Sequence, residues 1–410
     1  MTDAIRHNKK VNLLAFLSMC LFVVTGFINI LSWLLFMVPI VIAFYVYDFK
    51  HSCLYQKSTE KCILDYAIYL ICLVELICCI TSIYKPNSIS ATLRILLLAV
   101  FYFFVRTFIR FRSQFDWLCI GISCLTGILS MITLFYFLIH KSEFYSEGFD
   151  DLTNFKAYYR PLGELSNDWA TTLLCLLPFT LYSTSILIRS RWKYFFILIG
   201  ILNMVVLVVS FSRGIYIALI MFYSFVLLFN ILYVPKKNNE IFILFIIVFC
   251  SLIFTYSERK SVITTCAIFN TISQKRSING RFIKWKEAVS LTGFYPIVGV
   301  GGGNYILAVK MLPNNKLELF TSRSTNTYLQ VLVEKGLLGF IVYGNMICMI
   351  LYIAIKNKCY EKWITILFFS SFISLLIREM SFSSFFEKDV LQLLIVVMIL
   401  VMFQPVKNEI

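Results

Sequence analysis

Arginines in polar loops are the residues of this chain best suited to do chemistry. Arg213 lies in Ser210-Phe-Ser-Arg-Gly214, a very tight turn between two apolar runs. Arg281 opens the segment Arg281-Phe-Ile-Lys-Trp285 inside the longest polar loop. A guanidinium group offers a planar fork of donors that suits phosphate oxygens. The pattern predicts an anionic, phosphate-like ligand at a membrane surface, and a solvated or snorkelling side chain is the alternative for each arginine.

Further candidate residues stand where polar loops meet apolar runs. Arg160 precedes one run, Arg323 and Asn326-Thr-Tyr328 precede another, and Arg378 follows a third. The segment after Arg281 has apolar residues at roughly helical spacing, which predicts an amphipathic helix at the membrane interface with its cationic edge toward the headgroups. Those apolar residues are Phe282, Ile283, Trp285, Val289 and Leu291.

A glycine-rich turn follows that segment, in Pro296-Ile-Val-Gly-Val-Gly-Gly-Gly303. Glycines allow backbone amides to come close to a ligand, and a purely structural turn is the alternative. No strand precedes the glycines, so they do not form a nucleotide-binding motif.

The elements that must position these residues are membrane-spanning helices. Of 410 residues, 60% are hydrophobic and 14% are charged, and apolar runs repeatedly reach the length needed to cross a bilayer. Alternation over about ten residues, typical of a barrel, is not what these runs show. The sequence predicts an all-α, polytopic membrane bundle of about twelve transmembrane helices.

The net charge of +15 follows the membrane topology and does not indicate nucleic-acid binding. Lysines and arginines cluster in alternate short loops, which the positive-inside rule makes cytoplasmic. Residues 1–257 then form helices 1 to 9, residues 258–327 form a large outward loop with short helices, and residues 328–410 form helices 10 to 12. The loops at 141–168, 212–214 and 378–389 also face outward.

Neither a disulfide framework nor a metal site is predicted. Nearly all of the thirteen cysteines lie in or beside apolar runs, and Cys266 is alone in an outward loop. The three histidines, His7, His51 and His140, lie far apart in the sequence.

Together, several segments resemble the O-antigen polymerase and ligase superfamily of bacterial envelope glycosyltransferases. The resemblance covers about residues 155–345, and it depends on the order of its motifs because none is specific alone. The motifs are Ser212-Arg213-Gly214, Gly280-Arg281 with Trp285, the Pro296 to Gly302 turn, Asn326 with Gly336-x-x-Gly339, and Arg160-Pro-Leu-Gly163 with Asn167.

The resemblance implies an enzyme of the bacterial inner membrane with its active site on the periplasmic face. Its donor would be an undecaprenyl-diphosphate-linked glycan, and it would need no metal or nucleotide cofactor. Arg213, Arg281 and Asn326 would be catalytic. Membrane lipids and a chain-length-regulating membrane protein are the other expected partners. The substrate would be bound by Arg160, Trp285, Arg323, Tyr328 and Arg378.

The chain departs from the family at Thr325, where histidine commonly precedes the asparagine, especially in ligases. Threonine is a poor general base, which favours a polymerase of O-antigen repeat units over a ligase that transfers glycan to lipid A-core. A transporter or flippase is the second alternative, for which Glu75 and Arg106 are candidate intramembrane charges. Other candidate bases are Glu318, Glu334, Asp168 and His140.

Overall fold

The chain folds into helices throughout the part that the structure describes. A computed structural model describes residues 63–108, 112–146, 166–188, 190–210, 212–233, 247–248, 272–312, 324–356, 363–380, 383, 392 and 394–399. Within these residues the helices are α1 (Ile63–Ile80), α2 (Lys85–Phe108), α3 (Arg112–Ser146), α4 (Ser166–Ile186), α5 (Lys193–Val209), α6 (Arg213–Tyr233), α7 (Ile272–Phe294), α8 (Tyr305–Lys310), α9 (Thr327–Lys356) and α10 (Trp363–Glu379).

Five of these helices are long and apolar enough to cross a membrane, and they make this a multi-pass membrane protein. The spans are Lys85–Phe103 in α2, Phe115–His140 in α3, Asn167–Ile186 in α4, Gly214–Tyr233 in α6 and Thr327–Lys356 in α9. α5 is a shorter apolar helix. α2 begins at Lys85, and Pro86 in its first turn has the φ that a helix start needs.

α4 is the central helix of the bundle. In its span 89% of the residues are buried, against 17% for α9. α4 packs against α3, α5 and α10. Hydrogen bonds between side chains join it to α3: the Trp169 indole donates to Thr133 over 2.9 Å, and the Tyr182 hydroxyl donates to Asp116 over 2.7 Å. α9 therefore lies at the edge, where its exposed apolar side chains face lipid.

Helix directions bring several predicted site segments to one end of the bundle. Phe229 near the end of α6 contacts Phe369 near the start of α10, so the two helices are antiparallel. Tyr328 at the start of α9 donates its hydroxyl to the Leu376 carbonyl near the end of α10. The starts of α6 and α9 and the end of α10 thus lie together, and we call this the Asn326 end.

Candidate functional site

Asn326 begins α9 as its N-cap. Its Oδ1 accepts hydrogen bonds from the backbone N–H groups of Tyr328 (2.9 Å) and Leu329 (3.1 Å), two of the donors that a helix start leaves without partners. The Ser324 hydroxyl accepts from the Asn326 N–H and donates to the Asn326 carbonyl. These bonds fix the chain as it enters the helix.

Thr325, between these two residues, has an unusual backbone conformation. Its φ is +61°, which a β-branched residue rarely adopts. The side chain is buried, and the hydroxyl has no hydrogen-bond partner among the described residues. Strain and an unused polar group together are typical of functional sites.

The glycine-rich turn packs into a break in α9. Gly336 has a φ of +64° and interrupts the helix, which separates a first segment (residues 327–335) from a second (residues 337–356). The N–H groups of Val300 and Gly301 donate to the carbonyls of Val333 and Glu334, over 3.0 and 2.9 Å. In return, the N–H groups that follow the break donate to the carbonyls of residues 296 and 297.

The amides of this turn are used within the protein. Gly303 N–H donates to the Glu334 carboxylate over 3.1 Å, and Gly299 N–H donates to the Tyr295 carbonyl. Asn304 donates to side chains of the turn between α1 and α2, including Ser82 at 2.8 Å. Of the two alternatives for the glycines, this geometry favours a structural turn over a ligand cradle.

Glu334, a candidate base, is buried in the same region. One carboxylate oxygen accepts from Gly303 N–H and the other from the Gln330 amide at 3.2 Å. Both oxygens therefore hold the first segment of α9 and the glycine turn in place. A carboxylate whose two oxygens both accept hydrogen bonds within the protein is less able to accept a proton from a substrate hydroxyl.

α7 carries Arg281 and Trp285 over the first segment of α9. Ala288 and Leu291 are buried in a cluster with Val333 of α9 and Tyr305 of α8. Arg281 is half-buried and has interaction partners. The Trp285 ring packs edge-on against Phe282, with centroids 5.4 Å apart, and its buried indole N–H has no partner among the described residues.

The predicted helix is present, and its apolar residues divide between two environments. Phe282, Ile283 and Val289 are exposed, whereas Leu291 is buried. α7 thus has one apolar side against the protein and another directed outward, because α8 and α9 cover its inner side.

The Tyr305 ring packs against α7, and its hydroxyl lies near the carboxylates of Glu287 and Glu334. The side chain is buried, and the hydroxyl has no partner among the described residues. Burial raises the pKa of Tyr305, and the nearby carboxylates of Glu287 and Glu334 raise this pKa further. Burial also raises the pKa of Glu287, and Lys284 opposes that rise. The neutral phenol is therefore a hydrogen-bond donor beside two acidic groups.

The remaining predicted residues have different placements. Arg378 is buried at the end of α10 and has interaction partners. Beside it, Glu379 accepts a hydrogen bond from Thr327, which ties α10 to the start of α9. The backbone of Arg213 begins α6 at the Asn326 end. Arg160 and Arg323 lie outside the described residues.

The other candidate bases do not join this cluster through any described contact. Asp168 is buried in the first turn of α4 and has interaction partners, and the His140 ring contacts Tyr136 within α3. Glu318 lies outside the described residues. In the part of the chain that the structure describes, no three His, Cys, Asp or Glu residues are grouped as metal ligands.

Sequence reasoning missed one buried charged group. Lys335 of α9 forms an ion pair with Glu75 of α1, and the Tyr343 hydroxyl donates to the other oxygen of Glu75 over 2.7 Å. The signal was the pair Glu334-Lys335 inside an apolar run, where charges normally need partners.

One family model matches this part of the chain. Residues 195–344, from α5 to the second segment of α9, match the family described as O-antigen ligase. This match supports the O-antigen polymerase and ligase superfamily over the matched segment. No curated protein and no solved structure shows a significant match. The family consists of glycosyltransferase-like membrane enzymes that act on lipid-linked glycans, and its segment here contains Arg213, Arg281 and Asn326.

Proposed function

We propose that this protein is an O-antigen polymerase that joins undecaprenyl-diphosphate-linked repeat units at the periplasmic face of the inner membrane. The observation that carries the proposal is the family match over residues 195–344, which contains all three proposed catalytic residues. Thr325 takes the place of the histidine that is common at this position, especially in ligases. Its presence therefore favours a polymerase over a ligase.

In the proposed reaction, a hydroxyl of one repeat unit attacks the anomeric carbon of another. The bond from that carbon to the lipid diphosphate breaks, and the diphosphate leaves with the electron pair. Arg213 and Arg281 stabilise the negative charge that develops on the leaving group. Asn326 fixes the start of α9 beside them. The proton of the attacking hydroxyl passes to water at the membrane surface and not to Thr325.

Buried polar atoms of α7, α8 and the start of α9 support a sugar-binding role for these segments. The Trp285 indole, the Tyr305 and Thr325 hydroxyls and the Gln330 amide oxygen are buried, and they have no partners among the described residues. Leaving such groups unpaired costs about 1–3 kcal/mol each. Sugar hydroxyls both donate and accept, so a glycan is a ligand that satisfies donors and acceptors together.

Other proposed partners follow from the reaction. The exposed apolar surfaces of α9 and α7 suit membrane lipids and the polyprenyl chain of the donor. A chain-length-regulating membrane protein would control the number of repeats. The reaction as proposed requires neither metal nor cofactor, because arginines provide the positive charge.

The acceptor distinguishes this proposal from its alternative. The alternative function is that of a ligase, and the description of the matching family, O-antigen ligase, supports this alternative. Purified protein in nanodiscs would be given the lipid-linked repeat unit with and without lipid A-core. A ladder from the repeat unit alone is expected; products that appear only with lipid A-core would make the protein a ligase. Movement of the donor across vesicles without bond formation would instead indicate a flippase.

The periplasmic placement of the site is tested by labelling with a membrane-impermeant maleimide. Lys310 in α8 and Arg191 before α5 are exposed and lie beside opposite membrane faces in the proposed topology. With Cys266 replaced, Lys310→Cys should react in intact spheroplasts, and Arg191→Cys only after permeabilisation. The reverse pattern would place the site in the cytoplasm and reject the proposed donor.

A further inference from the structure

The carboxylate of Glu75 bonds both segments of α9 across the break at Gly336. One oxygen pairs with Lys335, the last residue of the first segment, and the other accepts from Tyr343 in the second segment. Glu75 is fully buried in α1, and Lys335 is 2% exposed. One side chain of α1 therefore joins two parts of a helix whose own hydrogen-bond ladder is interrupted.

The surroundings of Lys335 leave its ammonium little freedom. A Cβ at Gly302 would lie 2.7 Å from Lys335 Nζ, so the glycine turn closes over the lysine. The Cys78 thiol of α1 donates to the Lys335 carbonyl at 3.8 Å, within the range for sulfur. The pair is thus enclosed between α1, α9 and the glycine turn.

Stability alone does not account for this ion pair. Removing two charges from water costs several kcal/mol per ion, and apolar residues of similar volume often give equal or greater stability. Ionisable residues within membrane helices are accordingly rare and usually serve a function. A charged pair does provide one defined arrangement, because any rotation of α9 would leave a buried charge without its partner.

The first segment of α9 is the part whose position this arrangement sets. It begins at Asn326, carries Tyr328 against α10, and supports α7 with Arg281 through Val333. Gly336 breaks the helix at a positive φ, and the glycine turn and this ion pair are the contacts that join the two segments.

We propose that Glu75 and Lys335 are positioning residues for glycan transfer: their ion pair holds the first segment of α9 at the angle that places Asn326 and α7 for reaction. This inference rests on the proposed function. Positioning errors of about 1 Å cost up to roughly 100-fold in rate. Loss of the pair should therefore lower kcat more than it changes KM for the donor.

The decisive variant replaces both charges at once. Glu75→Leu with Lys335→Met removes the pair without leaving a lone buried charge, so the protein should fold, with a Tm lowered only by the loss of the acceptor of Tyr343. We expect kcat to fall by about 10- to 100-fold. The charge-exchanged variant, Glu75→Lys with Lys335→Glu, should recover part of this loss.

A matched control, Asp65→Leu with Tyr102→Phe, removes a hydrogen-bonded pair at the opposite end of α1 and should leave kcat within about twofold.

A distance measurement tests the positioning without relying on activity. Nitroxide labels at Leu332 in the first segment and at exposed Ile89 in α2 report the angle of α9. In the double apolar variant, the distance distribution should shift or broaden relative to the wild type and the control.

An unchanged distribution, or wild-type kcat in a folded double variant, would overturn the proposal. Absence of transfer by the wild-type protein would instead reject the proposed function. If the double variant fails to fold, the charge-exchanged variant decides: an unchanged distance and unchanged kcat support the paired arrangement, and loss of both rejects it.

Discussion

Two polar regions of α9 differ in how completely the protein satisfies them. Around Glu75, Lys335 and Tyr343, every charged or hydroxyl group has a partner within the chain. Near Asn326, by contrast, the Thr325 hydroxyl and the Gln330 amide oxygen have no partners among the described residues. The comparison suggests that the first region holds the helix in place, whereas the second is open to a ligand.

The largest expected effect comes from Arg213 and Arg281, the two cations proposed to bind the leaving diphosphate. Arg213→Ala and Arg281→Ala should each lower glycan transfer by about 100-fold or more, because each removes a cation from the leaving diphosphate. Lysine should restore only part of the rate, since it lacks the bidentate fork. Transfer is measured as polymer amount and length in cells that lack the native enzyme.

Arg191→Ala is the matched control, because Arg191 is exposed at the other end of the bundle. It should leave transfer unchanged. If Arg213→Ala or Arg281→Ala gave polymer of normal length and amount, that arginine would be a surface residue without a role in the reaction.

Gly336→Ala tests how strongly the satisfied region depends on the break in α9. An alanine Cβ would lie 2.3 Å from the Ile297 carbonyl oxygen, and the φ of +64° is itself unfavourable for alanine. Loss of stability should reach about 2 kcal/mol or more, seen as a lower Tm in detergent. Gly344→Ala, in the second segment with no atom within 4 Å of the added Cβ, should be neutral or slightly stabilising. Equal Tm values for the two variants would show that the break is not required.

A pair of tyrosines compares the two regions directly. Tyr343→Phe leaves one oxygen of Glu75 without its donor and should cost about 1–3 kcal/mol of stability. Tyr305→Phe removes a buried hydroxyl that has no partner among the described residues, so it should not lower stability and should raise it by up to about 1–3 kcal/mol. Tyr305→Phe should instead weaken glycan binding, measured as a higher KM for the donor. A larger loss of stability in Tyr305→Phe than in Tyr343→Phe would reverse the comparison.

The sequence predicted the apolar helices because their signal is local. Long apolar runs identified α3, α4, α6 and α9, with ends a few residues from those observed. The count of about twelve helices and the extent of the outward loop stay predictions. Asn326 also had a local signal, since an asparagine before an apolar run is a usual helix cap.

Contacts between residues that lie far apart in the sequence could not be predicted from the sequence alone. Gly336 lies inside an apolar run and gives no sign of a break, which depends on hydrogen bonds from the glycine turn. Glu75 was recognised as an intramembrane charge, but its partner Lys335 is 260 residues away. The burial of Leu291 has the same cause, because periodicity does not reveal which side of α7 another helix covers.

The central claim is that the protein transfers glycan from a lipid diphosphate by means of its own cations. The most direct measurement is release of undecaprenyl diphosphate by the purified protein in nanodiscs, with lipid-linked repeat units as the only substrate and a metal chelator present. The account predicts one lipid diphosphate released for each new glycosidic bond, with little effect of the chelator. Absence of release from protein that is folded, or release that stops when metal is removed, would contradict it.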